Sequence, residues 1–316
     1  EQGNIGDYEE ENSARWIYRR ACVDQKAGNS IWYAWGKLEE KQGNIGDYEE
    51  ENSARWIYRK ACIDEKAGDD VWQAWGKMEE GQGNIGDYGE ENSARWIYRK
   101  VCIDKEGDAS VWQAWGRLEE GQGNIGDYGE ENSARWIYRK VCIDKEGDIG
   151  VWQDWGKIEE EQGDIGDCGK ENSARWIYTE GIRRFPNEIS LYSAFADMEI
   201  FEYCASQARM ILRKCLECSD IYIGKLAILE FYYGNIDSED VFCMKKLMLK
   251  MESRQKYSLK ELYYLYYCYS LLGRTEDAER CYEYLEQYPT YDILNKDVKS
   301  FVNQCEKAVT LELAGN

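Results

Sequence analysis

Gly83-Asn84-Ile85-Gly86-Asp87-Tyr88 is written four times without change, beginning at Gly3, Gly43, Gly83 and Gly123, and once more in drifted form as Gly163-Asp164-Ile165-Gly166-Asp167-Cys168. The period is forty residues, and residues 83–122 and 123–162 differ at six of forty positions. A chain that can gain whole units is one in which each unit contacts mainly its neighbours, which is the logic of a solenoid. Working outward, Asp70-Val71-Trp72-Gln73-Ala74-Trp75-Gly76-Lys77-Met78-Glu79-Glu80 predicts a first helix, with an apolar stripe at 71, 72, 75 and 78 and glycine stops at Gly81 and Gly83. Residues 91–103 predict a second helix, with Ala94, Ile97, Tyr98 and Val101 on one face and Asn92 or Ser93 as its cap. No alternating pattern marks a strand, so the expected fold is all-α: a right-handed α-solenoid of antiparallel helix pairs.

Composition narrows the chemistry. The 316 residues contain no histidine, which excludes His-based acid–base catalysis, Ser–His and Cys–His nucleophiles and His-held metals. The net charge is −21, of which residues 1–180 carry −17. Such a surface repels phosphate backbones and anionic membranes and favours basic partners. No apolar run approaches the ~20 residues of a membrane span. The chain is therefore expected to be soluble and intracellular, in the cytoplasm, with nucleus or plastid as further compartments. Cys22, Cys62, Cys102 and Cys142 recur at the period of forty, one per unit. Packed helices lie ~8–10 Å apart, beyond disulfide reach, so these cysteines read as small core residues. Cys215 and Cys218 form a single C-x-x-C without a second pair, and packing on a helix face is the preferred reading.

Trp72-x-x-Trp75-x-x-x-Glu79, then Gly83-Asn84, then Ala94-Arg95-x-Ile97-Tyr98 resembles the half-a-TPR (HAT) repeat. The set recurs with Trp112, Trp115 and Glu119, and degenerates to Tyr192, Phe195, Glu199 and Ala208-Arg209. Tyr269, Ala278, Tyr282, Leu285 and Pro289 resemble an ordinary TPR more loosely. The glutamate-to-alanine spacing is six residues longer in the tryptophan units than in the degenerate one, an acidic insertion without a role in the HAT pattern. On this resemblance the chain divides into near-identical repeats over 1–180, the first truncated, degenerate HAT/TPR-like repeats over 181–290 and a capping helix over 291–316. Glu1-Gln2-Gly3 aligns with Lys41-Gln42-Gly43, so the N-terminus reads as a cut edge, with repeats or a domain expected upstream.

Three groups compete for function. Trp72/Trp75 and Trp112/Trp115 read as inter-helix core, and Glu79 beside them as the partner of a second-helix arginine such as Arg95. The once-per-unit Trp56, Trp96 and Trp136, flanked by Arg59-Lys60, Arg99-Lys100 and Arg139-Lys140, form either a ladder of platforms for RNA bases or, the preferred reading, packing against a neighbouring helix. The acidic insertion lacks the order of a calcium loop, and its glycines lack the spacing of a nucleotide loop. No cofactor, metal, membrane or small-molecule substrate is implied. The expected function is a non-catalytic scaffold for proteins with basic segments. The HAT resemblance adds RNA processing or stabilisation as the alternative, with RNA contact more indirect than direct. Free-thiol titration of the denatured, unreduced protein should find most of the twelve cysteines; several stable disulfides would place the chain in an oxidising compartment.

Overall fold

The computed structural model describes residues 5–25, 28–218, 222–253 and 257–315, with the side chains of Glu217, Cys218 and Tyr291 outside that description. The Cys218 half of the C-x-x-C and the opening Glu1-Gln2-Gly3 therefore lie outside the described residues. All regular structure among the described residues is helical. The repeats alternate short and long helices: α1 (Ala14–Arg19), α2 (Asn29–Lys41), α3 (Ala54–Arg59), α4 (Asp69–Gly81), α5 (Ala94–Arg99), α6 (Ala109–Gly121), α7 (Ala134–Asp144) and α8 (Ile149–Glu161). There follow α9 (Ala174–Arg184), α10 (Ile189–Phe201), α11 (Ala205–Cys218), α12 (Ile223–Tyr232), α13 (Met244–Glu252), α14 (Leu259–Leu271), α15 (Thr275–Leu285) and α16 (Tyr291–Ala314). The chain falls into two compact units, 1–158 and 159–316.

In unit 1 α2, α4 and α6 each pack on the helix that follows, α2 packs on α4, and α4 packs on α6. This double adjacency is what a stack of helix pairs requires. On α4 the stripe Val71, Trp72, Trp75, Met78 is buried, while Lys77 and Glu80 are exposed. Trp72 and Trp75 lie 5.6 Å apart at 37°, and Trp112 and Trp115 repeat that geometry. Ile97 and Tyr98 of α5 close the core from the other side. Cys22, Cys62 and Cys102 are buried, unbonded thiols one repeat apart, and burial pushes the Cys22 thiol up to about 12.

The second helix starts later than its sequence pattern suggests. Glu91 and Asn92 belong to a turn, Asn92 has φ +67°, and Ser93 is the cap, accepting from the Trp96 N–H at 3.2 Å. The acidic residues ahead of the helix lie in the loop. At the far end α3 and α5 continue into a widened turn, over Lys60–Asp64 and Lys100–Asp104. Residues 134–144 repeat the sequence of 94–104 and stay regular throughout, so the widening is not written in these residues alone.

Unit 2 is built around an apolar cluster including Leu212, Leu226, Met248, Tyr263 and Cys268. The C-terminal segment forms the amphipathic helix expected of it, with Val298, Val302, Cys305 and Val309 buried. Its position is less expected. Instead of sitting only on the last pair, α16 lies against α10, α11, α12 and α14. Glu312 near its end accepts from the Ser206 N–H in the first turn of α11 (2.9 Å) and from the Tyr233 hydroxyl (2.8 Å). No helix among the described residues is long and apolar enough to cross a membrane.

The closeness of each helix pair depends on a glycine. A Cβ on Gly76 would lie 2.6 Å from the Tyr98 ring, and Gly36 and Gly116 meet Tyr58 and Tyr138 in the same way. Gly76→Ala should cost about 1–3 kcal/mol by overpacking. Gly81→Ala, which meets open space, should be neutral or stabilising by up to about 1 kcal/mol. Urea melts of the two variants check the contrast.

Candidate functional site

The repeated polar residues converge on buried carboxylates. Glu79 is fully buried in α4. Arg55 grips it with both ends of its fork, Nε to Oε1 at 2.9 Å and Nη2 to Oε2 at 3.0 Å. Tyr48 adds a hydroxyl donor to Oε1 (2.7 Å), and Asn84 an amide donor to Oε2 (3.0 Å). Charge-assisted bidentate bonds of this kind are among the strongest polar contacts a protein makes. The arginine is not the expected Arg95. It comes from the preceding repeat, 24 residues upstream, while Arg95 reaches forward to Glu119 (3.0 and 2.9 Å). Arg15 holds Glu39 and Arg175 holds Glu199 with the same separation.

The acidic insertion builds the rest of the joint. The Asn84 N–H bonds the Glu79 carbonyl, and the Ala94 and Arg95 N–H groups bond the carbonyls of Asn84 and Ile85, so the loop closes both helix ends of its own repeat. Gly86 turns at φ +58°, and a Cβ there would strike Ser93 at 2.4 Å. Tyr48 of one loop crosses to the next repeat, where its hydroxyl also lies 2.9 Å from the Asn92 carbonyl oxygen. Tyr88 reaches Asn132 likewise at 3.1 Å. Burial first, and then the bond to Glu79, push the Tyr48 phenol well above its ordinary value, keeping it a neutral donor.

One joint escapes a sequence reading. Glu230 of α12 is fully buried and takes Arg209 (2.8 and 2.6 Å), Arg213 (2.7 Å) and Asn235 (2.8 Å). Its loop, Gly234-Asn235-Ile236-Asp237, is a shortened copy of the Gly-Asn-Ile-Gly-Asp motif. The Met244 and Lys245 N–H groups bond back to Asn235 and Ile236 as Ala94 and Arg95 do to Asn84 and Ile85. The triplet Gly234-Asn235-Ile236 was the available signal, and the lost glycine hid it.

The tryptophans proposed as platforms are half-buried. Trp56 meets Trp35 edge-on at 6.1 Å, Trp96 meets Trp75 at 6.3 Å, and Trp136 meets Trp115 at 6.3 Å. The Lys60, Lys100 and Lys140 ammonium groups stand 5.5–5.7 Å from the centroids of those rings. Each lysine is paired with an aspartate four residues on, Asp64, Asp104 or Asp144, at 3.0–3.3 Å. Arg99 approaches Glu131 at 4.0 Å, and Arg59 is half-buried beside Lys60. Trp72, Trp75, Trp112, Trp115 and Ala94 are core.

Two surface cavities lie on the long-helix faces: about 700 Å³ between α4 and α6 in unit 1, and about 310 Å³ among α10, α12, α14 and α16 in unit 2. The second contains Lys225, which is buried yet ion-paired with Asp197 (2.6 Å) and bonded to Ser193 (2.8 Å). A third, about 530 Å³ and mostly apolar, is lined by Ile182, Pro186, Tyr192 and Phe195. Compared with known protein families and with curated protein sequences, the chain matches none.

Removing one side of a buried pair leaves the other charged and dry. Arg55→Ala should therefore cost about 3–5 kcal/mol, while Lys60→Ala, which loses an exposed pair, should cost under about 1 kcal/mol. Glu39 contributes to the pH dependence. Burial raises its pKa, but the bonds from Arg15, Tyr8 and Asn44 outweigh it and hold the carboxyl below the ordinary 4.5. A depressed carboxyl contributes stability that is complete above the ordinary value and fades as pH falls toward the folded value. Urea midpoints should thus fall as pH drops below about 5, and the Arg15→Ala variant should show a shallower slope.

Proposed function

We propose that the chain is a non-catalytic scaffold: a right-handed α-solenoid of the HAT kind, soluble and intracellular, whose stacked repeats hold partner proteins. One observation carries the reading. The polar residues that recur through the four unchanged copies, Glu79, Arg55, Asn84 and Tyr48 among them, are spent on joining repeats. What remains at the surface is acidic loop, where Asp47, Glu49, Glu50 and Glu51 are exposed. Such loops attract basic protein segments from a distance and repel phosphate backbones.

The RNA-processing or RNA-stabilising alternative rests on the half-exposed faces of Trp56, Trp96 and Trp136. Each lysine over those rings is already neutralised by an aspartate, so little counterion release is left to drive RNA binding. Any RNA in an assembly would then be held by a partner.

Affinity capture followed by mass spectrometry, with and without nuclease, tests the proposal. Basic partners should be recovered equally in both arms. The Trp56→Ala, Trp96→Ala, Trp136→Ala triple variant should lose about 2 kcal/mol or more per site, since each ring is partly core. Should it keep full stability and lose RNA binding at physiological salt, the aromatic ladder is the function and the scaffold reading falls.

A further inference from the structure

When the long helices are aligned on Glu119, Glu159, Glu199 and Glu230, one position stands out. It is Ala114 on α6, Asp154 on α8, Ala194 on α10 and Lys225 on α12, with alanine also at Ala34 and Ala74 in the earlier copies. At the two charged places the side chain reaches back to the preceding long helix and finds an opposite charge. Asp154 takes Gln113 (2.8 Å) and Arg117 (2.7 Å). Lys225 takes Ser193 and Asp197, the same two positions with the signs reversed. At Ala114 the corresponding residues of the preceding long helix are Gln73 and Lys77, which line one cavity with Glu80, Ala114 and Arg117. Gln73 turns aside to the Ser110 carbonyl (2.8 Å), and the exposed Lys77 forms no ion pair among the described residues, its charged neighbour being Glu80 one turn on. The cavity of about 700 Å³ opens here.

Unit 2 indicates what covers such a face. Its cavity is floored by Asp197, Ile200, Phe201 and Lys225, the counterparts of Lys77, Glu80, Gly81 and Ala114. The other wall is a helix: Asp297, Ser300, Phe301 and Gln304 of α16. The Phe301 ring centroid lies 5.2 Å from Lys225 Nζ, and α16 runs over α10, α12 and α14.

We propose that the α4–α6 face receives an α-helix of a partner protein, laid across the long helices as α16 is in unit 2. That helix sets an aspartate or glutamate against Lys77 in the space Ala114 leaves. This rests on the scaffold reading and refines it: the acidic loops draw basic segments, whereas this slot selects an acidic side chain. The duplication isolates the point, because Ala114/Asp154 is one of the six differences between residues 83–122 and 123–162. In the later copy the chain supplies the carboxylate itself.

The test uses the full chain and three fluorescein-labelled, stapled alanine-rich helices, identical except for Glu, Gln or Lys at two positions one turn apart. Anisotropy should show the Glu helix binding at least tenfold tighter than the Lys helix, against the trend that a net charge of −21 imposes. Ala114→Asp, which installs the carboxylate of the next repeat, and Lys77→Ala, at an exposed position, should each weaken the Glu helix at least tenfold with unchanged circular dichroism. Lys60→Ala should leave it unaltered. Equal or tighter binding of the Lys helix, or indifference to Ala114→Asp, overturns the proposal. So does stronger, Ala114→Asp-sensitive binding of a peptide spanning residues 291–314, which would give the slot to a second copy of this chain. Capture of nuclease-resistant partners undiminished by Ala114→Asp would sink the slot and leave the scaffold standing. Loss of all protein capture would sink the scaffold itself.

Discussion

A carboxylate with no access to water must be paired and hydrogen-bonded or it will not stay ionised, and Glu79 finds its arginine one repeat away. That requirement makes each forty-residue unit incomplete on its own. Its buried acid waits for the unit before it, and its arginine is aimed at the unit after. Such a pair adds little net stability compared with a well-packed apolar substitute, because two charges must be desolvated to make it. What it supplies is register. The two-pronged contact of Arg55 with Glu79 accepts one alignment.

The loop follows from the same constraint. Glu79 retains lone pairs after Arg55 has bound, and the Gly-Asn-Ile-Gly-Asp-Tyr segments deliver the missing donors: Asn84 from its own repeat, Tyr48 from the one before. The insertion that looks superfluous in the HAT pattern is thus part of the seam. Unit 2 keeps the acid, the arginine and the asparagine at Glu230 although leucine, methionine and tyrosine stand in its core in place of the tryptophan pairs. Packing partners have been exchanged there while the polar joint has been kept.

The helix pairs were legible because the 3.6-residue stripe and the glycine stops recur in phase, copy after copy. The chemistry of the joint was legible too, since an acid beside two indoles calls for an arginine. Its direction was not. Arg95 lies 16 residues after Glu79 and Arg55 lies 24 before, and the two separations together make one period, so a periodic sequence is consistent with both. Only packing breaks that tie. Asn92 misled as a helix residue because its left-handed turn is demanded by the loop around it. The course of α16 was illegible for a different reason: an amphipathic pattern states that one face must be covered and is silent on which helices do the covering.

The phase-independence of the joint has a genetic consequence. Coding repeats this alike recombine unequally, and the products differ by whole periods wherever the crossover falls. Excision of residues 60–99, for instance, would splice Arg59 to Lys100 and bring Glu119 to the place Glu79 holds now, still 24 residues beyond Arg55. No breakpoint within the near-identical tract orphans a carboxylate. A chain shortened or lengthened by whole periods therefore keeps every joint of the tract closed, and repeat number is decoupled from the integrity of the seam.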